Sequence, residues 1–381
     1  MIYLDNAATT RIGKNSLKRF IDSNERYYGN PSSLHSYGYE CEKILKECRK
    51  TFGEFIGASP DEVYFTSGGT ESNNMAIFGS IKKYECVEVL YSDIDHPSII
   101  GPVEELKKRG VDAIPVVTDN TGSLNLVDLE TKLTDRTVLC IFTHVNSELG
   151  TLQDMEKICS IIKNCNKSAR IHFDCVQSFG KINIDVSRCK VDTLSFSGHK
   201  IHGPKGIGGI YVRKGSGLKP IVFGGGQESG LRPGTEPLPL IESFAEALIL
   251  RSETMDAEYG RIKNLRNKLI EGLKNSIEDI RINSAEKCSP YILNVSIKDI
   301  KGEVLLHYLE RDKIFISTGS ACSSKDKTVD NVVSRLDRDT AYSDGTIRMS
   351  FGMFNDETEN TFVLEKITEY VNEIRKITRG I

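Results

Sequence analysis

The sequence predicts an α/β fold in which a large domain, with a mainly parallel sheet of seven strands, is followed by a smaller α+β domain. Short apolar runs alternate with helical segments between about residues 60 and 215, which is typical of a parallel sheet covered on both faces. After residue 239 the pattern changes to a long, charged amphipathic stretch. We therefore assign residues 14–250 to the large domain and residues 1–13 and 251–381 to the small domain.

Seven apolar runs predict the strands of the large sheet. Each run is short, and helical or polar segments separate it from the next one, as expected for buried strands. The runs are residues 63–65, 87–91, 113–117, 138–143, 170–173, 193–196 and 210–212. A helix is predicted to begin near Thr70 after the first strand, and another is predicted at residues 98–108 after the second.

A second alternation of strands and helices predicts the small domain. The amphipathic stretch continues to about residue 277 and precedes this alternation. The predicted strands are residues 292–297, 314–316 and 347–351, and the predicted helices are residues 303–311 and 357–377. Mixed elements of this kind are typical of an α+β unit.

Composition places the chain among soluble globular proteins. It is 39% hydrophobic and 27% charged, and its net charge is −3. No long basic run indicates binding to nucleic acid or to a membrane surface, and no apolar run is long enough to span a bilayer. The N-terminus lacks the charged start and apolar core of a signal peptide, so we expect a cytoplasmic protein.

The ten cysteines do not indicate a metal site. None of them forms a Cys-x-x-Cys pair, so neither a zinc nor an iron–sulfur site is signalled. Most lie among apolar residues, as Cys140 does, and are expected to be small core hydrophobes. Cys322 differs because it lies in the small, polar segment 318–324. A thiol in such a loop is accessible, which is a precondition for thiol chemistry.

Lys200 is the most informative single residue. It ends the run Ser-Phe-Ser-Gly-His-Lys after a predicted strand and precedes the Gly-rich turn 203–206. Its amine is therefore expected at the carboxyl end of a strand, where open α/β sheets bind ligands. Such an amine can form a Schiff base with a carbonyl cofactor, usually pyridoxal 5'-phosphate (PLP). Taken alone, Lys200 is more simply explained as a solvated lysine, so the assignment depends on residues elsewhere.

Polar residues follow three other predicted strands. Asp174 ends one strand, where a buried carboxylate would pair with the pyridine nitrogen of PLP, and Gln177 is placed to bind the phenolic oxygen. His96 follows another strand and suits ring stacking and proton transfer near neutral pH. Asn146 takes the same position after a further strand. Taken alone, Asp174 is equally consistent with a residue that caps a helix. Taken alone, His96 is equally consistent with an incidental polar residue.

The remaining candidates would bind phosphate and carboxylate groups. Residues 66–74 follow a strand and open a helix; amides at a helix N-terminus bind phosphate, and Thr70 adds a hydroxyl. The Gly-rich loop 224–235 offers amides and the hydroxyl of Thr235, which is placed to reach a neighbouring subunit. Arg348 suits bidentate binding of an amino-acid carboxylate. For residues 66–74 the alternative explanation is a simple turn, and for Arg348 it is a surface arginine.

Taken in order, these motifs resemble those of the cysteine desulfurases of the NifS/IscS type, within the class V aminotransferase group of PLP fold-type I enzymes. The similarity runs nearly end to end. It is carried by residues 3–10 (Tyr-Leu-Asp-Asn-Ala-Ala-Thr-Thr), 65–74, 195–200, 319–322 (Gly-Ser-Ala-Cys) and 347–348 (Ile-Arg). The resemblance implies the fold of PLP fold-type I transferases, PLP as cofactor and a homodimer.

The resemblance also implies a role for each candidate residue. Lys200 is similar to the Schiff-base lysine, His96 to the stacking acid/base and Cys322 to the sulfur-accepting nucleophile. Asn146 and Arg348 are similar to residues that contact the substrate carboxylate or the ring. The implied cofactor ligands are Gly69, Thr70, His96, Asn146, Asp174, Gln177, Ser197, His199, Lys200 and Thr235 of the partner subunit.

The implied activity is the conversion of L-cysteine to L-alanine. The sulfur would pass as a persulfide on Cys322 to an acceptor protein, for iron–sulfur cluster assembly or for thiolation of tRNA or a cofactor. The alternatives are a selenocysteine lyase, a class V aminotransferase-like enzyme with another amino-acid substrate and, more distantly, a non-catalytic binding protein. Ser147, Met353 and residues 237–238 depart from the family pattern without removing a catalytic group, so the departures concern the acceptor and the surface partners.

Overall fold

The computed structural model describes residues 1–285, 287–318, 332–336 and 340–379. The strands are β1 (Ile2–Tyr3), β2 (Val63–Thr66), β3 (Glu88–Ser92), β4 (Asp112–Val116), β5 (Thr137–Thr143), β6 (Arg170–Asp174), β7 (Thr193–Ser197), β8 (Gly208–Val212), β9 (Ile280–Ile282), β10 (Ile292–Ile297), β11 (Ile314–Phe315) and β12 (Thr346–Ser350). The helices are α1 (Lys14–Arg26), α2 (Ser36–Ile56), α3 (Gly69–Ser80), α4 (Pro97–Lys108), α5 (Leu126–Lys132), α6 (Met155–Cys165), α7 (Leu238–Ser276), α8 (Gly302–Arg311), α9 (Val332–Leu336), α10 (Thr340–Ser343) and α11 (Glu357–Arg379).

The large sheet has the seven predicted strands, in the order β2-β8-β7-β6-β5-β3-β4. Strand β8 is antiparallel to both of its neighbours, whereas the other neighbouring pairs are parallel. The prediction of a mainly parallel seven-stranded sheet is therefore confirmed. Because β3, β5, β6 and β7 all run the same way, the residues that follow them meet at one edge of the sheet.

Most element bounds differ from the predicted ones by only a few residues. Strand β10 matches the predicted segment, while β12 and α8 each begin one residue earlier than expected. Helices α1 and α2 precede the first strand that the sequence predicted. The amphipathic stretch is one continuous helix, α7, of 39 residues. Among the described residues, no helix combines the length and apolar character needed to cross a bilayer.

The first hydrophobic core lies between the large sheet, α2 and the first half of α7. Its centre is a group of buried phenylalanines in which Phe179 stacks on Phe196 with ring centroids 4.4 Å apart. Phe52 of α2 meets Phe244 of α7 edge to face at 4.7 Å, a favourable arrangement for aromatic pairs. Cys140 is fully buried in this core, as the sequence predicted, and burial raises the pKa of its thiol.

The second core is formed by the three-stranded antiparallel sheet β12-β10-β9 with α8, α11 and the second half of α7. The chain start joins this core, because β1 pairs in parallel with β11. Helix α7 contributes to the first core up to Leu248 and to the second from Ile262. The predicted division near residue 250 therefore falls inside a continuous helix, and it stays a prediction.

A buried ion pair fixes the segment between β8 and α7 to the large sheet. Arg49 donates to both carboxylate oxygens of Glu228 at 2.7 Å, and the Phe65 amide donates to the same carboxylate at 2.9 Å. The Glu228 side chain is 2% exposed. Removing this carboxylate would therefore leave the Phe65 amide without this acceptor and the charge of Arg49 without its counter-charge, which is costly in a buried position.

We expect Glu228→Ala to lower the free energy of unfolding by about 3 kcal/mol, because Arg49 is left without its counter-charge in a largely buried position. Urea denaturation measures the change. The matched control is Glu42→Ala, which removes an exposed pair with Lys46 and is expected to cost less than about 1 kcal/mol. Equal effects of the two substitutions would contradict the role assigned to Glu228.

Candidate active site

The residues that follow the parallel strands lie at the edge that the topology predicts. Asp174 is the last residue of β6, and Lys200 ends a short 3₁₀ turn directly after β7. His96 and Asn146 follow β3 and β5. Arg348 enters from β12 of the second core, opposite this edge. The candidate site is thus built between the large sheet and the small one.

Lys200 is placed against the N-terminal segment of the chain. Its Nζ donates to the carbonyl of Ala7 at 2.5 Å and to the carbonyl of Ala8 at 2.8 Å. The segment is held there by Thr10, whose amide and hydroxyl both donate to the carbonyl of His199 at 2.9 and 2.8 Å. The lysine is half-buried, so its amine is fixed but still borders the cleft.

Asp174 is a buried carboxylate whose two oxygens each accept a hydrogen bond. The amide of Val176 donates to Oδ1 at 2.9 Å, and Nδ2 of Asn73 donates to Oδ2 at 2.8 Å. The residue is 4% exposed. Both partners of this carboxylate among the described residues are donors, so its oxygens act there as acceptors.

Asn73 connects Asp174 to His96. The second hydrogen of its Nδ2 is donated to Oγ of Ser98 at 2.8 Å, and its Oδ1 lies 3.0 Å from Nε2 of the buried His172. Because Asn73 Oδ1 can only accept, His172 carries its proton on Nε2. Burial lowers the pKa of His172 to about 4, so this imidazole stays neutral.

His96 caps helix α4 and has a defined tautomer. Its Nδ1 accepts from the Ser98 amide at 3.1 Å and lies 2.8 Å from the Ser98 hydroxyl, so the neutral ring carries its proton on Nε2. The side chain is open to solvent on one side, yet the surrounding protein lowers the pKa of His96. Desolvation is the main cause, the charges of Lys200 and Arg348 add to it, and Asp174 opposes it.

The start of α3 forms a cradle suited to a phosphate group. Its N-cap, Gly68, has φ +156° and no side-chain cap, so the first amides of the helix point outward without a partner from a capping side chain. A Cβ on Gly69 would lie 2.6 Å from Val176. Ser197 has a buried hydroxyl with no hydrogen-bond partner among the described residues, and it lies beside these glycines. Thr70 is exposed at the mouth of the cradle.

Gln177 is held in one orientation by Lys181, a residue that the sequence did not single out. Its Nε2 donates to the carbonyl of Ala7 at 2.9 Å, while Nζ of Lys181 donates to its Oε1 at 3.4 Å. Lys181 is 3% exposed, and burial, with the nearby positive charges of Arg251 and Lys200, lowers its pKa well below the usual value. Gln177 therefore presents its amide donors, not its oxygen, toward the N-terminal segment.

Asn146 and Arg348 both form hydrogen bonds with the loop after β5. The Asn146 side chain is buried: its Oδ1 accepts from the amides of Glu148 and Leu149, each at 2.9 Å, and its Nδ2 donates to the carbonyl of Ile94 at 3.0 Å. Arg348 donates to Glu148 at 2.6 Å, to Asp5 at 3.0 Å and to the carbonyl of Ser147 at 3.1 Å. The guanidinium is thus held by two carboxylates. Burial raises the pKa of Glu148, which the charge of Arg348 partly offsets.

The remaining predicted residues are His199, Thr235 and Cys322. His199 borders the turn that carries Lys200, and its Nδ1 lies 3.1 Å from the Thr9 hydroxyl; burial, with the charge of Lys200, lowers its pKa to about 4. Thr235 is exposed in the segment between β8 and α7. Cys322 lies outside the described residues.

Sequence reasoning missed Asn73, Ser98, Asp95 and Lys181. Asp95 precedes His96, accepts from the Thr143 amide at 3.2 Å, and burial together with the charge of Asp174 raises its pKa to about 7. The signal for Asn73 was its position four residues after Gly69, one helical turn into α3. The other three are recognised only when the strands are assembled.

The chain matches the family model described as Aminotransferase class-V over residues 2–361. It is 34% identical over 380 residues to Cysteine desulfurase IscS 1 of Archaeoglobus fulgidus, with 99% of each chain covered. It is 35% identical over 386 residues to Cysteine desulfurase IscS of Klebsiella pneumoniae subsp. pneumoniae, covering 99% of this chain and 94% of the relative. A solved structure named NifS-like protein is similar with a TM-score of 0.91 at 33% identity, over 97% of this chain and 99% of the other.

Proposed function

The chain belongs to the class V aminotransferase family and, within it, to the cysteine desulfurases of the NifS/IscS type, and from this premise we propose that it converts L-cysteine to L-alanine with PLP as its cofactor. The observation that carries the proposal is the juxtaposition of Asp174 and Lys200 at the carboxyl ends of the neighbouring parallel strands β6 and β7. A buried carboxylate and an amine at adjacent strand ends match the two ends of a pyridoxal ring.

The residues of this edge fit PLP. The phosphate would be held by the first amides of α3 after Gly68, by Ser197, His199 and Thr70, and by Thr235 of the partner subunit. Asp174 would face the ring nitrogen, Gln177 would donate to the phenolic oxygen, and His96 would stack on the ring. When bound, PLP supplies a cationic ring that takes up the electrons of the carbon from which the substrate proton is removed.

The chain's own residues would perform the remaining tasks. Lys200 would remove the proton from Cα, and Arg348 with Asn146 would orient the substrate carboxylate. The thiolate of Cys322 would attack the substrate sulfur, so that an S–S bond forms as the C–S bond breaks. The electron pair of the broken bond stays with carbon, which takes up protons and leaves as alanine. Cysteine and one thiol are thereby converted to alanine and one persulfide.

The proposed setting of this reaction is a homodimer in the cytoplasm. Thr235 is exposed in a segment that is tied down at Glu228, which supports its use at the site of the partner subunit. A reducing compartment keeps thiols such as Cys322 available. The persulfide sulfur would pass to an acceptor protein for cluster assembly or thiolation. Neither the comparisons nor the site geometry favours a selenocysteine lyase or another aminotransferase.

Mass mapping of the persulfide tests the proposal most directly. The protein is incubated with ³⁴S-labelled L-cysteine without reductant, digested, and each cysteine peptide is weighed. We expect one extra labelled sulfur on Cys322 together with an equal amount of alanine, because only this thiol would accept the substrate sulfur. Cys322→Ala is expected to remove the labelled persulfide while the protein keeps its visible absorption.

Two exposed thiols offer matched controls. Cys86 and Cys165 are exposed and free, so Cys86→Ala and Cys165→Ala are expected to leave both the label on Cys322 and the alanine yield unchanged. Label on Cys86 or Cys165, or an unchanged rate of sulfide release by Cys322→Ala, would overturn the role of Cys322. A protein that gives neither colour with PLP nor alanine would overturn the proposed activity itself.

We expect Arg348→Ala to raise the KM for cysteine by at least about tenfold, because the positive charge that would attract the substrate carboxylate is lost. Steady-state kinetics with L-cysteine measures the change, and Arg348→Lys should restore only part of it because an ammonium group cannot reproduce the several donors of the guanidinium fork. Arg311→Ala, which removes an exposed arginine of α8, is the control. An unchanged KM in Arg348→Ala would show that the carboxylate binds elsewhere.

A further inference from the structure

A separate cavity of about 280 Å³ lies between the start of α1 and the middle of α7. Ile201 and His202, the two residues after Lys200, form part of its wall, and Met353 and Phe354 form another part. None of the residues assigned to the PLP site lines it. Its walls are mainly apolar, and a buried arginine, Arg251, reaches it from α7. Cavities that combine apolar walls with one or two charged groups are typical of small-molecule sites.

Arg251 carries a charge that the surrounding protein only partly neutralises. The residue is 2% exposed, and its Nε and Nη2 have no hydrogen-bond partner among the described residues. The nearest carboxylate in an ion pair with it is that of Glu258, at 3.8 Å from Nη1. Arg261 already binds both oxygens of that carboxylate, at 2.8 and 2.9 Å. One carboxylate is therefore shared by two guanidinium groups.

Within the described part of the chain, the other groups around Arg251 add no further negative charge. Tyr291 packs beneath it, with the ring centroid 5.9 Å from Cζ of Arg251 and 5.6 Å from Nζ of Lys181. The Tyr291 hydroxyl is also buried, and no described residue is its hydrogen-bond partner. His202 donates from Nδ1 to the carbonyl of Arg11 at 2.8 Å, and burial lowers its pKa to about 3, so it is neutral. Each buried polar group without a protein partner in a native structure requires an explanation, and a bound ligand is one such explanation.

The start of α1 adds a second positive element to the same cavity. Gly13 is the N-cap of this helix of 13 residues, which has no side-chain cap and no acidic residue in its first turn. Gly13, Lys14 and Ser16 line the cavity. The partial positive charge of the helix start therefore faces the same space as Arg251. A bound water would satisfy hydrogen bonds there but would leave the surplus of positive charge.

We propose that this cavity binds a small organic carboxylate, with the carboxylate on Arg251 and the hydrocarbon part against the apolar wall. The guanidinium fork matches a carboxylate bidentately. Leu250, Met353 and Phe354 supply apolar surface that a bare inorganic anion would leave unused. The site is distinct from the PLP edge, so this proposal goes beyond the proposed function, and either one can fail without the other.

Isothermal titration of the PLP-loaded protein tests the site, with isovalerate as the probe and isovaleramide as its neutral isostere. We expect saturable binding of isovalerate that is at least about tenfold tighter than that of the amide, because the charge-assisted contact to Arg251 is lost with the amide. Arg251→Met should remove this preference, and Ala247→Leu, which fills the cavity, should remove binding. Lys263→Met, on an exposed face of the same helix, should change neither.

Several outcomes overturn the proposal. Isovalerate that binds equally to wild type and Arg251→Met, and is lost in Arg348→Ala, binds at the PLP edge instead. Inorganic phosphate that binds while isovalerate does not shows that the ligand is an inorganic anion. Thermal unfolding provides the second readout: Arg251→Met should unfold at the wild-type temperature or above, because it removes an incompletely paired buried charge. A clearly lower unfolding temperature would make Arg251 a structural ion-pair partner.

Discussion

Lys200→Ala is expected to abolish cysteine turnover, lowering kcat/KM by at least about 10⁴-fold, since one substitution removes both the amine that would bind PLP and the base that would take the substrate proton. The surrounding backbone holds this amine in one position. It is held by the carbonyls of Ala7 and Ala8 at the rim of the cleft, and the turn that carries it is fixed by Thr10.

Borohydride reduction and peptide mapping measure the covalent part of this prediction. In the wild-type protein, borohydride should fix the cofactor to the peptide that contains Lys200, whereas Lys200→Ala should yield no modified peptide and no visible absorption from a covalent linkage. Lys205→Ala is the matched control, because Lys205 is an exposed lysine on the following turn. A modified peptide that contains Lys181 instead of Lys200 would contradict the assignment.

The fold was largely predictable because each strand of the large sheet is a short apolar run. The sequence could not show that β8 runs against its neighbours, since strand direction is set by tertiary connections and not by side-chain pattern. Nor could it place the chain start. Residues 1–13 reach the second core because β1 pairs with β11, which lies some 300 residues away along the chain.

The candidate site was predictable to the extent that its residues follow strands. Lys200 and Asp174 lie at adjacent strand ends, as the topology requires. Asn73 and Lys181 were not predictable, because each acts through a contact made only in the folded chain, to Asp174 and Gln177 respectively. Arg251 illustrates the same limit. In the sequence it is one charged residue of an amphipathic helix, and only burial reveals that its charge is incompletely paired.

Asp174→Asn is expected to lower kcat for cysteine by about 10³-fold with a much smaller change in KM, because an electrostatic contact to the reacting ring system is lost while the substrate contacts remain. The substitution preserves shape but not charge. The Val176 amide keeps an oxygen acceptor, so the loop after β6 is retained. The second atom becomes an amide nitrogen facing Nδ2 of Asn73, and two donors then oppose each other.

Asn73 cannot relieve this conflict by a simple flip. Its Oδ1 is 3.0 Å from the protonated Nε2 of His172, and its Nδ2 also donates to Ser98 beneath His96. A flip would therefore place Nδ2 against the His172 donor and leave Ser98 without its hydrogen bond. Asp174→Asn is thus expected to disturb His96 as well as the ring nitrogen. Asp154→Asn, at the N-cap of α6, should be nearly silent because asparagine caps helices equally well.

Steady-state kinetics and the absorption spectrum of the Asp174→Asn protein separate an effect on turnover from an effect on cofactor binding. Loss of the negative charge should lower kcat even when PLP is saturating, and the spectrum should still report bound cofactor, because Lys200 and the cradle at Gly68 are untouched. If kcat stays within about tenfold of wild type, the charge is not what stabilises the reacting carbon. If cofactor binding is lost instead, Asp174 serves to bind the ring and not to stabilise the charge that develops on the reacting carbon. The carboxylate at the end of β6 is therefore the residue on which the PLP assignment can be tested independently of Lys200.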